Sequence, residues 1–123
     1  MRRILLALCL TALAVPAARA SDPPDLSRLE RKIAKEVDAI VREHAPMLTS
    51  KTYYGMPGWA LDGKVCVFMS PASKFKTRYC TIGFEGVANL DDGDMWPTSF
   101  AILKIGPAEK KKITALVKKA VSK

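Results

Sequence analysis

The chain has only one histidine, His44, among its 123 residues. A serine nucleophile needs a histidine or another base beside it, and a zinc site usually takes several histidine or cysteine ligands. His44 lies in no recognised motif and falls near the end of a predicted helix, where its charged form interacts favourably with the helix dipole. We therefore expect no catalytic residues, no enzyme activity and no cofactor.

Long hydrophobic runs are also scarce. The one extended apolar run starts at Ile4 after two arginines and ends before the small residues that flank Arg19. It is shorter than the ~20 residues that a membrane-spanning helix needs, but it has the charged start, apolar centre and small-residue cleavage site of an export signal. We predict a signal peptide over residues 1–20, a mature domain over residues 21–123, a periplasmic or secreted location and no membrane anchor after cleavage.

The excess of positive charge is moderate. The chain carries 20 basic and 12 acidic residues, for a net charge of +8, and loss of the three arginines in the predicted signal peptide reduces this to +5. A charge of this size indicates solubility rather than a nucleic-acid partner. The lysines of the last predicted helix either form its solvated face or contact anionic lipid.

Apolar periodicity predicts the order helix, about five strands, helix. Ser27 and Glu30 have the spacing of a capping box, and Pro46 ends the helix that they start. Short strands separated by turn residues follow, with a hairpin predicted at Asp62-Gly63. Gly106-Pro107 then starts a second amphipathic helix. The predicted fold class is α+β, with both helices on one face of an antiparallel sheet.

The segment Lys51-Thr52-Tyr53-Tyr54-Gly55-Met56-Pro57-Gly58-Trp59, together with the later Gly83, Phe84, Gly86 and Leu90, is the most specific part of the sequence. This pattern resembles the YdhG-like family of bacterial domains of unknown function, some of which are described as frataxin-like iron chaperones. The resemblance covers most of residues 21–123 and implies the same order of elements. It also implies an iron-binding or iron-chaperone function as an alternative.

Two cysteines remain after signal cleavage, in a compartment that favours disulfides. A hairpin centred on Ser73 would place Cys66 directly opposite Cys80, within the Cα separation of ~5.5 Å that a bridge requires. We predict a disulfide between them. The alternative is that both are buried small hydrophobic residues.

Asp91, Asp92 and Asp94 form the densest acidic cluster and are candidate oxygen ligands for a hard metal cation. They lack the spacing and the final glutamate of a calcium loop. Because these calcium-loop features are absent, the sequence favours the alternative that the three aspartates lie in a solvated turn.

Large side chains surround a turn predicted at Pro57-Gly58, where proline supplies the required φ and glycine can take a positive φ. Tyr54, Met56 and Trp59 offer apolar area with few rotatable bonds, as binding pockets do, although a small core uses the same residues. We predict that these three residues bind a small ligand or a protein segment. The predicted function is that of an exported, non-catalytic binding or chaperone-like domain, and an envelope-surface or partner-interaction module is a further alternative.

Overall fold

The fold is described for residues 27–123 from a computed structural model. The predicted signal peptide lies outside these residues. Three helices and five strands follow one another as α1 (Arg28–His44), β1 (Thr49–Tyr53), β2 (Met56–Leu61), β3 (Lys64–Ser70), α2 (Ala72–Phe75), β4 (Cys80–Phe84), β5 (Ser99–Ile102) and α3 (Pro107–Ala120). Over residues 27–123, no helix has both the length and the apolar character needed to cross a membrane.

Helix α1 starts as its sequence predicts. The Ser27 hydroxyl accepts a hydrogen bond from the Glu30 amide at 3.2 Å, and the Glu30 carboxylate accepts one from the Ser27 amide at 3.0 Å. This capping box satisfies two amide groups that have no partner within the helix. The helix ends at His44, and Ala45 leaves the helical conformation because proline disfavours that conformation in the residue before it.

The five strands form one antiparallel sheet in sequence order, β1-β2-β3-β4-β5. Thus the predicted α+β class and the five-stranded antiparallel sheet are confirmed. Helices α1 and α3 contact each other, and Lys110 Nζ lies 2.9 Å from Glu36 Oε2 across that contact. The placement of both helices on one sheet face stays a prediction, which these contacts favour.

The helices and the sheet share a buried hydrophobic cluster. Its helical members are Ile33, Val37, Ile40, Val41, Ile113, Val117 and Ala120, and its strand members are Trp59, Cys66, Val67, Met69, Cys80, Ile82, Phe84 and Ile102. Burial of these side chains is the main favourable term in folding a domain of this size.

The turn predicted at Pro57-Gly58 is wrong. The chain reverses two residues earlier, at Tyr54-Gly55, where both residues have positive φ values of 50° and 77° as in a type I′ turn. Pro57 lies inside β2, opposite Thr52. Since Tyr53 and Met56 close the two-residue loop as a hydrogen-bonded pair, the Pro57 nitrogen points away from β1. Pairing of β2 with β3 begins only at Gly58, so the missing N–H of proline disrupts no ladder.

The hairpin predicted at Asp62-Gly63 is confirmed, with φ values of 50° and 82° at its two central residues. Asp-Gly suits this turn because both residues tolerate the left-handed region.

The predicted pairing of Cys66 with Cys80 is wrong. Met69 lies opposite Ile82, and the Glu85 amide donates to the Cys66 carbonyl at 3.0 Å, so Cys66 faces Glu85 in the ladder. Cys80, the first residue of β4, is five residues before Glu85 and therefore roughly 16 Å from it along the strand. The connection contains the short helix α2, which shifts the centre of the hairpin beyond Ser73. Both cysteines are free and buried, as in the alternative prediction.

Candidate functional site

The predicted binding group of Tyr54, Met56 and Trp59 is not assembled in the structure. Tyr54 lies on the tip of the first turn and is 81% exposed. Met56 and Trp59 are three residues apart in β2, and successive side chains of a strand point to opposite faces. Trp59 belongs to the core cluster and Met56 does not. The prediction failed because it placed these residues around a turn, whereas two of them lie within a strand.

Trp59 instead fixes α1 against the sheet. Its Nε1 donates a hydrogen bond to Asp38 Oδ1 at 2.9 Å, and Arg42 Nε lies 2.8 Å from the other oxygen of the same carboxylate. A buried indole usually requires such a partner for its N–H. Trp59 is therefore a structural residue rather than a ligand-binding one.

On the other face of the sheet, Tyr53 packs against Phe68 with ring centroids 5.5 Å apart. The Phe68 ring covers Gly83, where a Cβ atom would lie 2.2 Å from the ring. The Tyr53 hydroxyl donates to Glu85 Oε2 at 2.5 Å, and this hydrogen bond raises the pKa of Tyr53 to about 12. Loss of the proton would leave two negative charges in contact. In this packing arrangement the phenol of Tyr53 therefore stays protonated at neutral pH.

The acidic turn does not form the predicted metal site. Asp91, Asp92 and Asp94 are all exposed. Within residues 27–123, no three His, Cys, Asp or Glu side chains are grouped so that they could hold a metal ion. Gly93, between these aspartates, has a φ of 68° and lies in a turn, so this segment matches the solvated turn of the alternative prediction.

Glu30 is a buried charged residue whose second role the sequence does not reveal. Its side chain is 4% exposed and accepts hydrogen bonds from the Ser73 amide at 2.8 Å and the Ser73 hydroxyl at 2.6 Å, in addition to its capping bond. Burial on its own raises the pKa of Glu30, but the hydrogen bonds from Ser73 and Ser27 outweigh it and leave the pKa lowered. The carboxylate thus accepts hydrogen bonds that cap α1 and that join α1 to α2.

The candidate site is a groove of about 1030 Å³ between β5 and α3. Ile82 and Phe100 of the sheet and Ile113 and Leu116 of α3 contribute its apolar lining. It exists because β5 is the last strand of the sheet, while α3 extends beside that strand.

Basic residues surround the groove. Arg78, Lys104 and Lys112 line it and are exposed. The one acidic residue of the lining is Glu109, whose Oε1 already accepts the Gly106 amide at 2.8 Å at the start of α3. The groove therefore combines an apolar surface with an excess of positive charge.

No pattern in the sequence predicted this groove. Its residues come from two strands, a helix and the segments beside them, and none of them forms a motif. The available signal was the apolar width of α3, where Leu116 lies beside the buried stripe of Ile113 and Val117. The value of that signal depends on knowing that α3 lies beside the last strand.

Comparison with known proteins gives no match to a family model, to a curated protein or to a solved structure. The resemblance to the YdhG-like family therefore stays a prediction.

Proposed function

We propose that this domain is a non-catalytic binding module that holds an apolar, negatively charged ligand in the groove between β5 and α3. The observation that carries the proposal is the coincidence of an apolar lining with three exposed basic side chains, Arg78, Lys104 and Lys112. Apolar surface supplies the affinity of such sites, and a few charged groups orient the ligand.

The chemistry of the groove supports binding rather than catalysis. Its titratable side chains are Arg78, Tyr79, Lys104, Glu109 and Lys112. Glu109 is engaged at the helix start, so the lining presents no free carboxylate to act as a general base beside the cationic groups. A binding role needs no general base.

The iron-related alternative receives no support from the described residues, because the acidic turn is not arranged as a ligand set. Export to the periplasm or the exterior remains part of the proposal, on the strength of residues 1–20. In that setting the ligand would be a component of the cell envelope or of the exterior.

Anilinonaphthalene sulfonate, which is apolar and anionic, is a direct probe of the groove. We expect its fluorescence to rise on titration with the protein, and we expect Leu116→Glu to weaken binding about tenfold, a loss of ~1.4 kcal/mol. Thr114→Glu is the matched control, because Thr114 is on the same helix but does not line the groove.

The dye also binds partly unfolded protein, so both variants are first compared with the parent by near-ultraviolet circular dichroism. Equal binding by the parent and Leu116→Glu, with native spectra for both, would show that the groove is not the site.

A further inference from the structure

We propose that the ligand of the groove is an extended segment of a partner protein, which pairs with β5 as a sixth strand and directs acidic side chains at Arg78, Lys104 and Lys112. This inference rests on the proposed function and adds the kind of partner and its mode of binding. Two observations carry it: the hydrogen-bonding groups along the edge of β5, and the charge around the groove.

The register of β4 and β5 determines which backbone groups of β5 face outward. The Phe84 amide donates to the Thr98 carbonyl at 2.8 Å, so these opposed residues form a hydrogen-bonded pair. Such pairs alternate along an antiparallel ladder. Phe100 and Ile102 are therefore bonded to β4, while the N–H and C=O groups of Ser99 and Ala101 point away from it. Among the described residues no strand lies beyond β5, and these groups are available to another chain.

The side chains of β5 fit the same arrangement. Phe100 lies opposite Ile82, a core residue, so it faces the side of the sheet on which the core lies, and both residues line the groove. A strand added beside β5 would place every second side chain on that side, next to Leu116 of α3. Main-chain bonds would then provide affinity, and the groove would select the alternate side chains.

The opposite edge of the sheet does not offer such a site. The first four residues of β1 are polar and exposed, and Lys51 stands among them. A lysine on an edge strand is a common protection against pairing. The edge formed by β5 has the sequence Ser99–Ile102 and an apolar groove beside it.

The charge around the groove identifies an acidic segment rather than a second copy of this chain. A second copy would bring another Arg78, Lys104 and Lys112 to a surface that is already basic, and like charges oppose association at low salt. Aspartate or glutamate among the groove-facing positions of a partner segment would instead be attracted to them.

The test uses protein purified from cells that express the full coding sequence, and a panel of labelled peptides of about seven residues, a usual strand length. In each peptide the alternate residues that would face the groove are a central valine, isoleucine or phenylalanine flanked by aspartates, and the residues between them are threonines. Two counterparts replace aspartate by lysine, or carry N-methyl groups on alternate amides. We expect saturable binding of the aspartate peptides that weakens as salt rises, with about tenfold weaker binding of either counterpart.

Ala101→Pro is the critical variant, because it removes an outward N–H without removing a bond to β4. Ser50→Pro is its matched control, because alternation along β1 also directs the Ser50 N–H outward, at the other edge. We expect Ala101→Pro, at a residue that also lines the groove, to reduce peptide binding about tenfold and dye binding by much less, and Ser50→Pro to change neither. If Ala101→Pro does not fold, the N-methylated peptide decides the question on the parent protein.

Four results would overturn the inference. Equal binding of the N-methylated and unmodified peptides would show that no strand is added. Dye binding without binding of any peptide would restrict the groove to small amphiphiles and leave the proposed function intact. A dimer that Ala101→Pro dissociates, seen by analytical ultracentrifugation, would make a second copy the occupant. Absence of both dye and peptide binding would remove the proposed function as well.

Discussion

At the scale of single residues, Glu30 is the one charged side chain that is buried within residues 27–123. It caps its own helix and receives two hydrogen bonds from Ser73, which is 43 positions away in the sequence. A buried carboxylate is tolerated only when its oxygens are satisfied in this way. Because these hydrogen bonds favour the ionised form of Glu30, the stability of the domain depends on the charge of this residue.

Glu30→Gln should therefore destabilise the protein in a pH-dependent manner. At pH 7 we expect a loss of about 2 kcal/mol in the free energy of unfolding, since the hydrogen bonds to a charged acceptor are weakened. The folded-state pKa is lowered, so this contribution is complete above the unfolded value of 4.5 and declines as the pH falls through the folded value. Urea denaturation of parent and variant between pH 7 and pH 3 measures it.

The exposed Glu43, near the end of α1, supplies the control variant Glu43→Gln. A difference between parent and Glu30→Gln that stays constant down to pH 3 would show that the charge of Glu30 is not what stabilises the fold.

At the scale of elements, the two tight hairpins use different residues to form the same kind of two-residue turn. Each has two central residues with positive φ, Tyr54-Gly55 in one and Asp62-Gly63 in the other. Asp-Gly is a common solution, and tyrosine in the left-handed region is uncommon. The sequence therefore predicts the second hairpin but not the first.

Gly63→Ala should cost about 1 kcal/mol, and Gly86→Ala should be neutral or slightly stabilising. A Cβ atom would meet nothing within 4 Å at either position, so packing does not distinguish them. Gly63 has a φ of 82°, which an alanine adopts only with strain, whereas Gly86 has no positive φ. Urea midpoints of the two variants test this directly, and equal effects would contradict the assigned turn.

At the scale of the whole molecule, the register of the sheet determines the state of the cysteines. Cys66 and Cys80 lie at opposite ends of the β3–β4 ladder and are both buried. Burial raises the pKa of both thiols, and for Cys80 a hydrogen bond from the Ala72 backbone opposes that effect. Two protonated, enclosed thiols react slowly even in an oxidising compartment.

We expect Cys66 and Cys80 to resist a thiol reagent in the native protein at pH 8 and to react fully in denaturant without prior reduction. Addition of a reductant should leave the thermal midpoint unchanged, because there is no bridge to break. Non-reducing peptide mapping provides the check. A peptide pair linked through Cys66 and Cys80 would contradict the β3–β4 register.

Several features could be determined from the sequence by itself. The capping box at Ser27, the stop before Pro46, the Asp62-Gly63 hairpin and the helix start at Pro107 depend on residues within four positions of each other, so a single sequence contains the whole signal. The α+β class follows from the order of these local patterns.

Only the tertiary structure decided the register and the site. Whether Pro57 lies in a turn or a strand, whether Cys66 faces Cys80 or Glu85, and which strand ends the sheet all depend on contacts between segments far apart in the chain. A shift of register changes which side chains share a face. The groove between β5 and α3 could therefore not be found before the sheet was assembled, because the edge of a sheet is a property of the arrangement of its strands rather than of any one strand.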